Sequence, residues 1–412
     1  MSVSIYKAET VSEIGSVVNT IFDSETASLP ENKSSKIVIK PNLNSNMNAL
    51  TGNTTDLRLL YAVITSLKQR GYSNITVAEG YAGGFHREGI NVIERLKVDK
   101  LCELTDVKIV NANFATETAD VNFEKGTVAQ IARVFIENDY FINLPKIKTH
   151  TETTLSCCCK SLIGCLAGQQ NKKKVHESLF KNIIHINSKV KTDLYIVDGI
   201  VSMEGNGPTT GTPKKTGVIL SGNDPYLIDL VVSRIIGIKD FKNVPVLKEA
   251  SEQRLITESM LEESAGKEWA YSLNLKLPSL SITQRFITDQ RWQKYLQKIR
   301  HAPVIEQICA LQVVKKLMFN LKLTQEVFKK EEPLIESIVV NKSKCISCGK
   351  CKDYCPTGLS PFECELISEN KECIKCLYCY SVCPSGAITT SGSLGFFEEQ
   401  ERQYGTLIRE TL

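Results

Sequence analysis

No charge of one sign dominates this sequence: 50 lysines and arginines stand against 46 aspartates and glutamates, a formal net charge of +4 over 412 residues. So close a balance gives no footing by itself for binding nucleic acid or an anionic membrane, and no nucleic-acid partner is expected. Long apolar runs are missing too. The stretch from Ala302 to Phe319 is broken by Glu306, Gln307, Lys315 and Lys316, well short of a bilayer-spanning helix, so no membrane span is expected. The start of the chain, Met1 to Glu9, lacks the basic start followed by an apolar run of a secretory signal, and a cytoplasmic location is the expectation. The G-x-G-x-x-G spacing of a dinucleotide-binding turn is absent from the candidate strand-to-helix turns, so NAD is not expected. A composition 42% hydrophobic and 23% charged is that of a globular protein, and the length implies two or three domains.

Cysteine is abundant, with 15 residues. In a reducing compartment that number points to metal ligation rather than disulfides. Cys345, Cys348, Cys351 and Cys355-Pro356 form C-x2-C-x2-C-x3-C-P, and Cys373, Cys376, Cys379 and Cys383-Pro384 repeat it. Three closely spaced thiolates wrap three corners of a cubane, and the fourth, displaced by a proline turn, reaches the other half, so ligation is crossed. Cys345, Cys348, Cys351 and Cys383 are expected to hold one [4Fe-4S] cluster, and Cys373, Cys376, Cys379 and Cys355 the other. A pair of zinc sites is the plainer alternative, since C-x-x-C also binds zinc. Ile346, Ile374, Leu377 and Val382 lie between the ligands, where apolar side chains shield a cluster and tune its potential. Cys364 falls outside both runs and reads as a spare thiol. From Val340 to Ile388 the segment resembles the bacterial two-cluster ferredoxins.

Before about residue 240, short β-branched runs alternate with segments of helical period, the pattern of a parallel sheet flanked by helices. Candidate strands are Lys36 to Lys40, Asn74 to Ala78, Val107 to Asn111, Tyr140 to Leu144, Asp193 to Val197 and Gly217 to Leu220. Asp56 to Arg70 reads as a helix with Leu59, Leu60, Val63, Ile64 and Leu67 on one face, stopping at Gly71. Asp224-Pro225 opens another that ends at Gly237. Further helix is expected over residues 240–275, with Val246, Leu247, Ala250 and Leu255 on a buried face. The division that follows is an α/β substrate-binding domain over 1–275, a basic helical connector over 276–335 that includes Gln307 to Leu323, a ferredoxin-like α+β domain over 336–390, and a tail over 391–412.

Ligands of an open parallel sheet bind beyond the carboxyl ends of its strands. There the sequence is polar: Lys40-Pro41-Asn42, Glu79-Gly80, Pro145-Lys146-Ile147-Lys148-Thr149-His150, Asp198-Gly199 followed by Glu204-Gly205-Asn206, and Ser221-Gly222-Asn223-Asp224-Pro225. The strings IKPNLNSN, INLPKIKTH, CKSLIGCLAG, VDGIVSMEGNGPTTGTP and SGNDPYLIDLVVSRIIG resemble domain-of-unknown-function family 362 (DUF362), often joined to a ferredoxin module, over most of residues 36–275. Where relatives carry small or polar residues before Lys160, this chain has Cys157-Cys158-Cys159.

Lys146, Lys148 and His150 alternate, so in an extended segment they share a side, and with Lys40 and Lys160 they suggest an anion-binding wall. A solvated basic loop is the plainer account. His150 and His176 are candidate proton donors, or ordinary structural histidines. Asn42, Glu79, Asp198, Glu204 and Asn206 are candidate substrate contacts, Asp198 and Glu204 flanking a glycine-rich turn where they could also ligate a divalent cation. Asp224 reads as a helix cap. Cys157, Cys158, Cys159 and Cys165 suggest a third metal site, a redox thiol or packed core thiols. The function expected is an iron-sulfur oxidoreductase, its clusters exchanging electrons with a small anionic substrate and with a donor or acceptor protein. An electron-transfer adaptor, and a non-redox enzyme with regulatory clusters faintly similar to the nickel-pincer lactate racemases, are the alternatives.

Overall fold

A computed structural model of the chain describes residues 2–208, 210–268, 271–279 and 329–412. Its strands are β1 (Ser4–Lys7), β2 (Ile37–Pro41), β3 (Ile75–Glu79), β4 (Lys108–Asn111), β5 (Thr118–Asn122), β6 (Val128–Ala132), β7 (Tyr140–Leu144), β8 (Lys146–His150), β9 (Thr154–Ser156), β10 (Leu194–Glu204), β11 (Thr212–Gly222), β12 (Leu334–Val340) and β13 (Ile388–Ser393). A nine-stranded sheet runs β1-β11-β10-β7-β2-β3-β4, with β8 on β10 and β9 on β8. Strands β10, β7, β2, β3 and β4 are parallel, and their apolar runs read as strands buried on both faces. In β2, Ile37 and Ile39 enter one apolar cluster and Val38 another, the period-2 alternation of a sheet covered by helices on each side.

The last expected strand runs against expectation. Gly217 to Leu220 lies within β11, which is antiparallel to β10 with Val197 opposite Leu220. The link between β10 and β11 is residues 205–211, too short for the crossover that a parallel strand requires. Ser221 to Pro225 therefore leave from the opposite end of the sheet, and Asp224 caps the helix Pro225–Ile235 by accepting from the Leu227 N–H at 2.8 Å. β10 is also longer than expected, so Asp198 and Glu204 are strand residues rather than flanks of a turn.

Asp56 caps the helix Leu57–Gln69, and Gly71 adopts φ +89°, where a side chain would be strained. In the region expected to be helical over 240–275, helices Pro245–Glu252 and Glu258–Glu268 form. Val246, Leu247 and Ala250 are buried, whereas Leu255 is exposed: it falls in the turn after the first helix, its N–H on the Ala250 carbonyl. Most of the expected connector, including Gln307 to Leu323, lies outside the described residues.

In the C-terminal region β12 and β13 pair antiparallel around a small apolar group of Ile338, Ile367, Leu377, Ile388 and Phe397. Residues expected as a tail instead form the helix Phe397–Thr411, whose Tyr404 and Ile408 enter the main core of the α/β region together with Tyr354, Ile374, Tyr378 and Val382. Its apolar face needed a partner, and the α/β core supplies one. No helix among the described residues is long and apolar enough to cross a membrane.

Candidate functional site

The chain grows the sheet from β2 through β3 to β4, then returns to the other side of β2 with β7 and continues to β10. The order reverses between β2 and β7, and a crevice opens at the carboxyl ends of two such strands. Pro145 has no N–H and breaks the strand between β7 and β8, so β8 follows on and pairs β10 in turn. Lys146, Lys148 and His150 thereby enter the crevice from one strand.

Burial removes the solvated-loop account of these lysines. Lys40, Lys146 and Lys148 are 0%, 1% and 2% exposed. Lys40 Nζ meets Glu79 Oε2 at 2.8 Å and Ser161 Oγ at 3.2 Å, and a Cβ on Gly164 would stand 2.1 Å from Glu79 Oε1, so only glycine lets that carboxylate in. Lys146 Nζ meets Asp198 Oδ2 at 3.0 Å, and the same oxygen accepts the Asp56 N–H at 2.6 Å. Asp56 holds Arg58 through two bonds of 2.7 and 3.1 Å. These are neutral pairs, so Lys40 and Lys146 are not the free anion-binding groups that their sequence context suggested. A buried charge requires such a partner.

Three other lysines have no carboxylate in ion-pair contact among the described residues. Lys148 Nζ donates to Asn42 Oδ1 at 2.6 Å, Asn44 Oδ1 at 2.7 Å and the Asn53 carbonyl at 2.8 Å. Three oxygen acceptors match the three donors of an ammonium, yet burial, and then Lys160 and Lys146, push its pKa well down. The half-buried Lys160 has an amine that makes no hydrogen bond among the described residues, and desolvation lowers its pKa to about 8 against the opposing pull of Glu152. Lys172 donates to the carbonyls of Gly80 and Tyr81, both at 2.8 Å, and to Asn113 Oδ1. Burial brings it to about 7, with Glu79 opposing and Lys40 assisting.

His150 Nδ1 accepts the N–H groups of Glu152 at 3.0 Å and Thr153 at 3.3 Å, which places the proton of the neutral ring on Nε2. Burial and then Lys160 hold its pKa well below the usual imidazole value. Among the described residues the buried Nδ2 group of Asn143 has no partner, while its Oδ1 accepts from Ser161 at 3.1 Å. The crevice thus holds amines without carboxylate partners, and donors, at Asn143 Nδ2, His150 Nε2 and Lys160 Nζ, that a ligand could take up.

Other candidates stand apart. Glu204 accepts the Lys276 N–H at 3.0 Å and lies near the amines of Lys276 and Lys214, and Asn206 accepts from the Ser279 N–H at 3.0 Å; both hold the chain that follows the first domain. His176 is partly exposed, 3.7 Å from Glu152. Cys157, Cys158 and Asp229 place their ligand atoms within 4.8 Å of one another, but Asp229 is engaged by the N–H groups of Cys158 at 2.8 Å and Cys159 at 3.0 Å. The carboxylate caps the turn that begins there, and burial raises all three thiols. Sequence reasoning missed Lys172, Asp56, Arg58, Ser161 and Asn143, because only folding gathers them at one crevice; the helix-capping position of Asp56 was the visible signal.

The C-terminal cysteines form two groups. Cys345, Cys348, Cys351 and Cys383 line one cavity, and Cys355, Cys373, Cys376 and Cys379 line another, each joining three cysteines of one repeat to the fourth of the other. Ser347, Lys375 and Leu377 adopt left-handed φ of 55°, 55° and 63°, wrapping the ligand loops around their cavities. Four soft donors about a cavity fit an iron-sulfur cube. The second group abuts the α/β core: Cys376 packs against it, and the Tyr378 hydroxyl accepts the Leu57 N–H at 3.5 Å, one residue from Asp56.

Residues 37–234 match the family described as a domain of unknown function, DUF362, and residues 337–384 match the 4Fe-4S dicluster domain. The chain is similar to the thylakoid-associated protein sll1697 of Synechocystis sp., at 27% identity over 235 residues, covering 53% of this chain and 68% of that protein. Among solved structures it is similar to the lactate racemase apoprotein from Thermoanaerobacterium thermosaccharolyticum at 13% identity and a TM-score of 0.38. That match spans about half of each chain, 53%.

Proposed function

We propose, for a chain that joins a DUF362 domain to a 4Fe-4S dicluster domain, an iron-sulfur oxidoreductase whose clusters exchange single electrons with a small anionic substrate in the crevice between β2 and β7. Cys345, Cys348, Cys351 and Cys383 hold one cluster, and Cys373, Cys376, Cys379 and Cys355 hold the other. The clusters supply electrons one at a time. The single observation that carries the reading is a pair of amines with no carboxylate in ion-pair contact among the described residues, Lys148 buried on β8 and Lys160 half-buried in the turn after β9. On β8, Lys146 leads through Asp198 to Asp56, next to the Leu57–Tyr378 contact between the two domains.

The residues divide the work. Lys148, its donors already used by Asn42, Asn44 and Asn53, is held below its ordinary pKa in the empty crevice, and a bound anion favours its charged form. Lys160, whose amine has no hydrogen-bond partner among the described residues, contacts the carboxylate or phosphate directly. His150, with Nδ1 accepting two backbone N–H groups, keeps its proton on Nε2 and donates a hydrogen bond from it to the anion, polarising it during electron transfer. Lys146–Asp198 and Lys40–Glu79 hold the strands in register around the ligand.

Anaerobically purified protein is expected to contain about eight iron and eight labile sulfides, as two cubanes require. A charge-assisted contact contributes about 1.5 to 3 kcal/mol, so Lys160→Ala is expected to weaken binding of a panel of small carboxylates and phosphates about ten- to a hundredfold, and Lys148→Ala, which removes no direct contact, to weaken it less, with iron content unchanged in both. His150→Ala is expected to slow turnover more than it weakens binding. A panel that binds both lysine variants as tightly as the parent, or that leaves the optical spectrum of the reduced clusters untouched while binding normally, rules the reading out.

A further inference from the structure

The two cysteine groups face different surroundings. Cys376 and Ile374 pack against the α/β core, whereas Cys348 is exposed and Cys345 and Cys351 are half-buried. Beside them Ile346 is 65% exposed and Phe362 is 44% exposed, both on the wall of the cavity lined by Cys345, Cys348, Cys351 and Cys383. Large apolar side chains left in water beside a partly open cysteine cavity mark a contact surface rather than a packing defect.

Lysines rim the same place. Lys350 and Lys352 line the cavity, Lys342 Nζ stands 5.8 Å over the Phe362 ring, and Lys344 directly precedes Cys345. None of the four has an ion pair among the described residues, and no acidic residue interrupts the chain from Lys342 to Lys352. The exposed Glu363 and Glu365 follow Phe362. Elsewhere the exposed lysines of this protein are often paired, as Lys100 is with Glu103 and Lys215 with Glu9.

We propose that this face docks a small acidic protein carrying a one-electron cofactor, with Lys342, Lys344, Lys350 and Lys352 steering it onto Ile346 and Phe362. The inference rests on the electron-exchange reading above and names the partner class for it. Each encounter moves one electron: the carrier's cofactor is oxidised by one electron and the dicluster module is reduced by one, and two encounters supply a two-electron reduction of the bound anion, whose protons come from the crevice. Opposite charges raise the rate of encounter without demanding a large interface, which suits a partner that must leave between electrons.

The test uses the cluster-loaded full chain and two probes, a flavodoxin of strongly negative net charge and a cytochrome c of positive net charge, with binding followed by calorimetry at low and high salt. Flavodoxin is expected to bind, more weakly as salt screens the contact. The combined Lys342→Glu, Lys350→Glu and Lys352→Glu variant is expected to lose at least tenfold in affinity at full iron content, and Ile346→Glu to lose binding at both salt concentrations. Unchanged flavodoxin affinity in the triple variant, or a preference for cytochrome c, overturns the proposal. Lys160→Ala separates the two readings: it is expected to bind flavodoxin as the parent does, and loss of anion binding there with normal flavodoxin binding leaves each reading judged by its own variant.

Discussion

The dicluster module and the lysine crevice hold their polar groups by different means. In the module, eight thiols from two short loops gather over the small apolar group of Ile338, Ile367, Leu377, Ile388 and Phe397, and much of their surroundings is open. In the crevice, lysines and carboxylates from many strands and helices are closed inside extensive apolar clusters such as that of Ile39, Leu60, Ile64 and Val77. A few dozen residues cannot bury enough surface to stabilise themselves, so the module needs its metal for order. The crevice can carry unpaired charge because a large core bears the cost.

Iron removal probes that contrast most severely. Chelation under oxidising conditions is expected to open residues 336–393 to proteolysis while the α/β region keeps its circular dichroism and its melting transition; simultaneous loss of both would mean that the module also supports the larger core. Cys355→Ser is expected to abolish the electron paramagnetic resonance signal of the cluster held by the second repeat and to spare the other, as crossed ligation requires.

A smaller effect comes from the junction. Asp56→Asn leaves Arg58 charged and buried, and Arg58 also donates to the Glu9 carbonyl at 2.6 Å and the Asp353 carbonyl at 3.2 Å. Breaking a buried pair by removing one partner costs about 3 to 5 kcal/mol, so urea unfolding of the α/β region is expected to shift by that amount, and a shift below about 1 kcal/mol would show Arg58 to be solvated.

The pH dependence sharpens the comparison further. Lys160 has a pKa of about 8 in the free protein, below its ordinary value, so the folded chain binds fewer protons than the unfolded one from about 8 upward, and its cost to stability is present below that pH and fades above it. Anion binding runs the other way: it needs the ammonium, so affinity is expected to fall as pH rises through about 8, with proton uptake on binding seen by calorimetry in buffers of different ionisation enthalpy. Lys160→Ala is expected to flatten this profile. The smallest effect is at the C-terminal helix, where Tyr404 donates to the Gly211 carbonyl at 3.1 Å; Tyr404→Phe is expected to cost about 1 kcal/mol of stability, and no change would place helix docking on packing alone.

The parts legible before folding are those whose partners are near in sequence. The doubled C-x2-C-x2-C-x3-C-P runs, the helix faces of Leu57–Gln69 and Pro225–Ile235 and the buried strands can be read because spacing alone sets which side chains share a loop or a face. Tertiary structure decided the direction of β11, which follows from a short link, and the state of each lysine. Lys40, Lys146, Lys148 and Lys160 are alike as letters; Glu79 and Asp198 neutralise the first two, and among the described residues the others are left without a carboxylate in ion-pair contact. Those partners arrive from residues 39 and 52 positions away, and desolvation, which sets each amine's charge, depends on the whole fold closing around it.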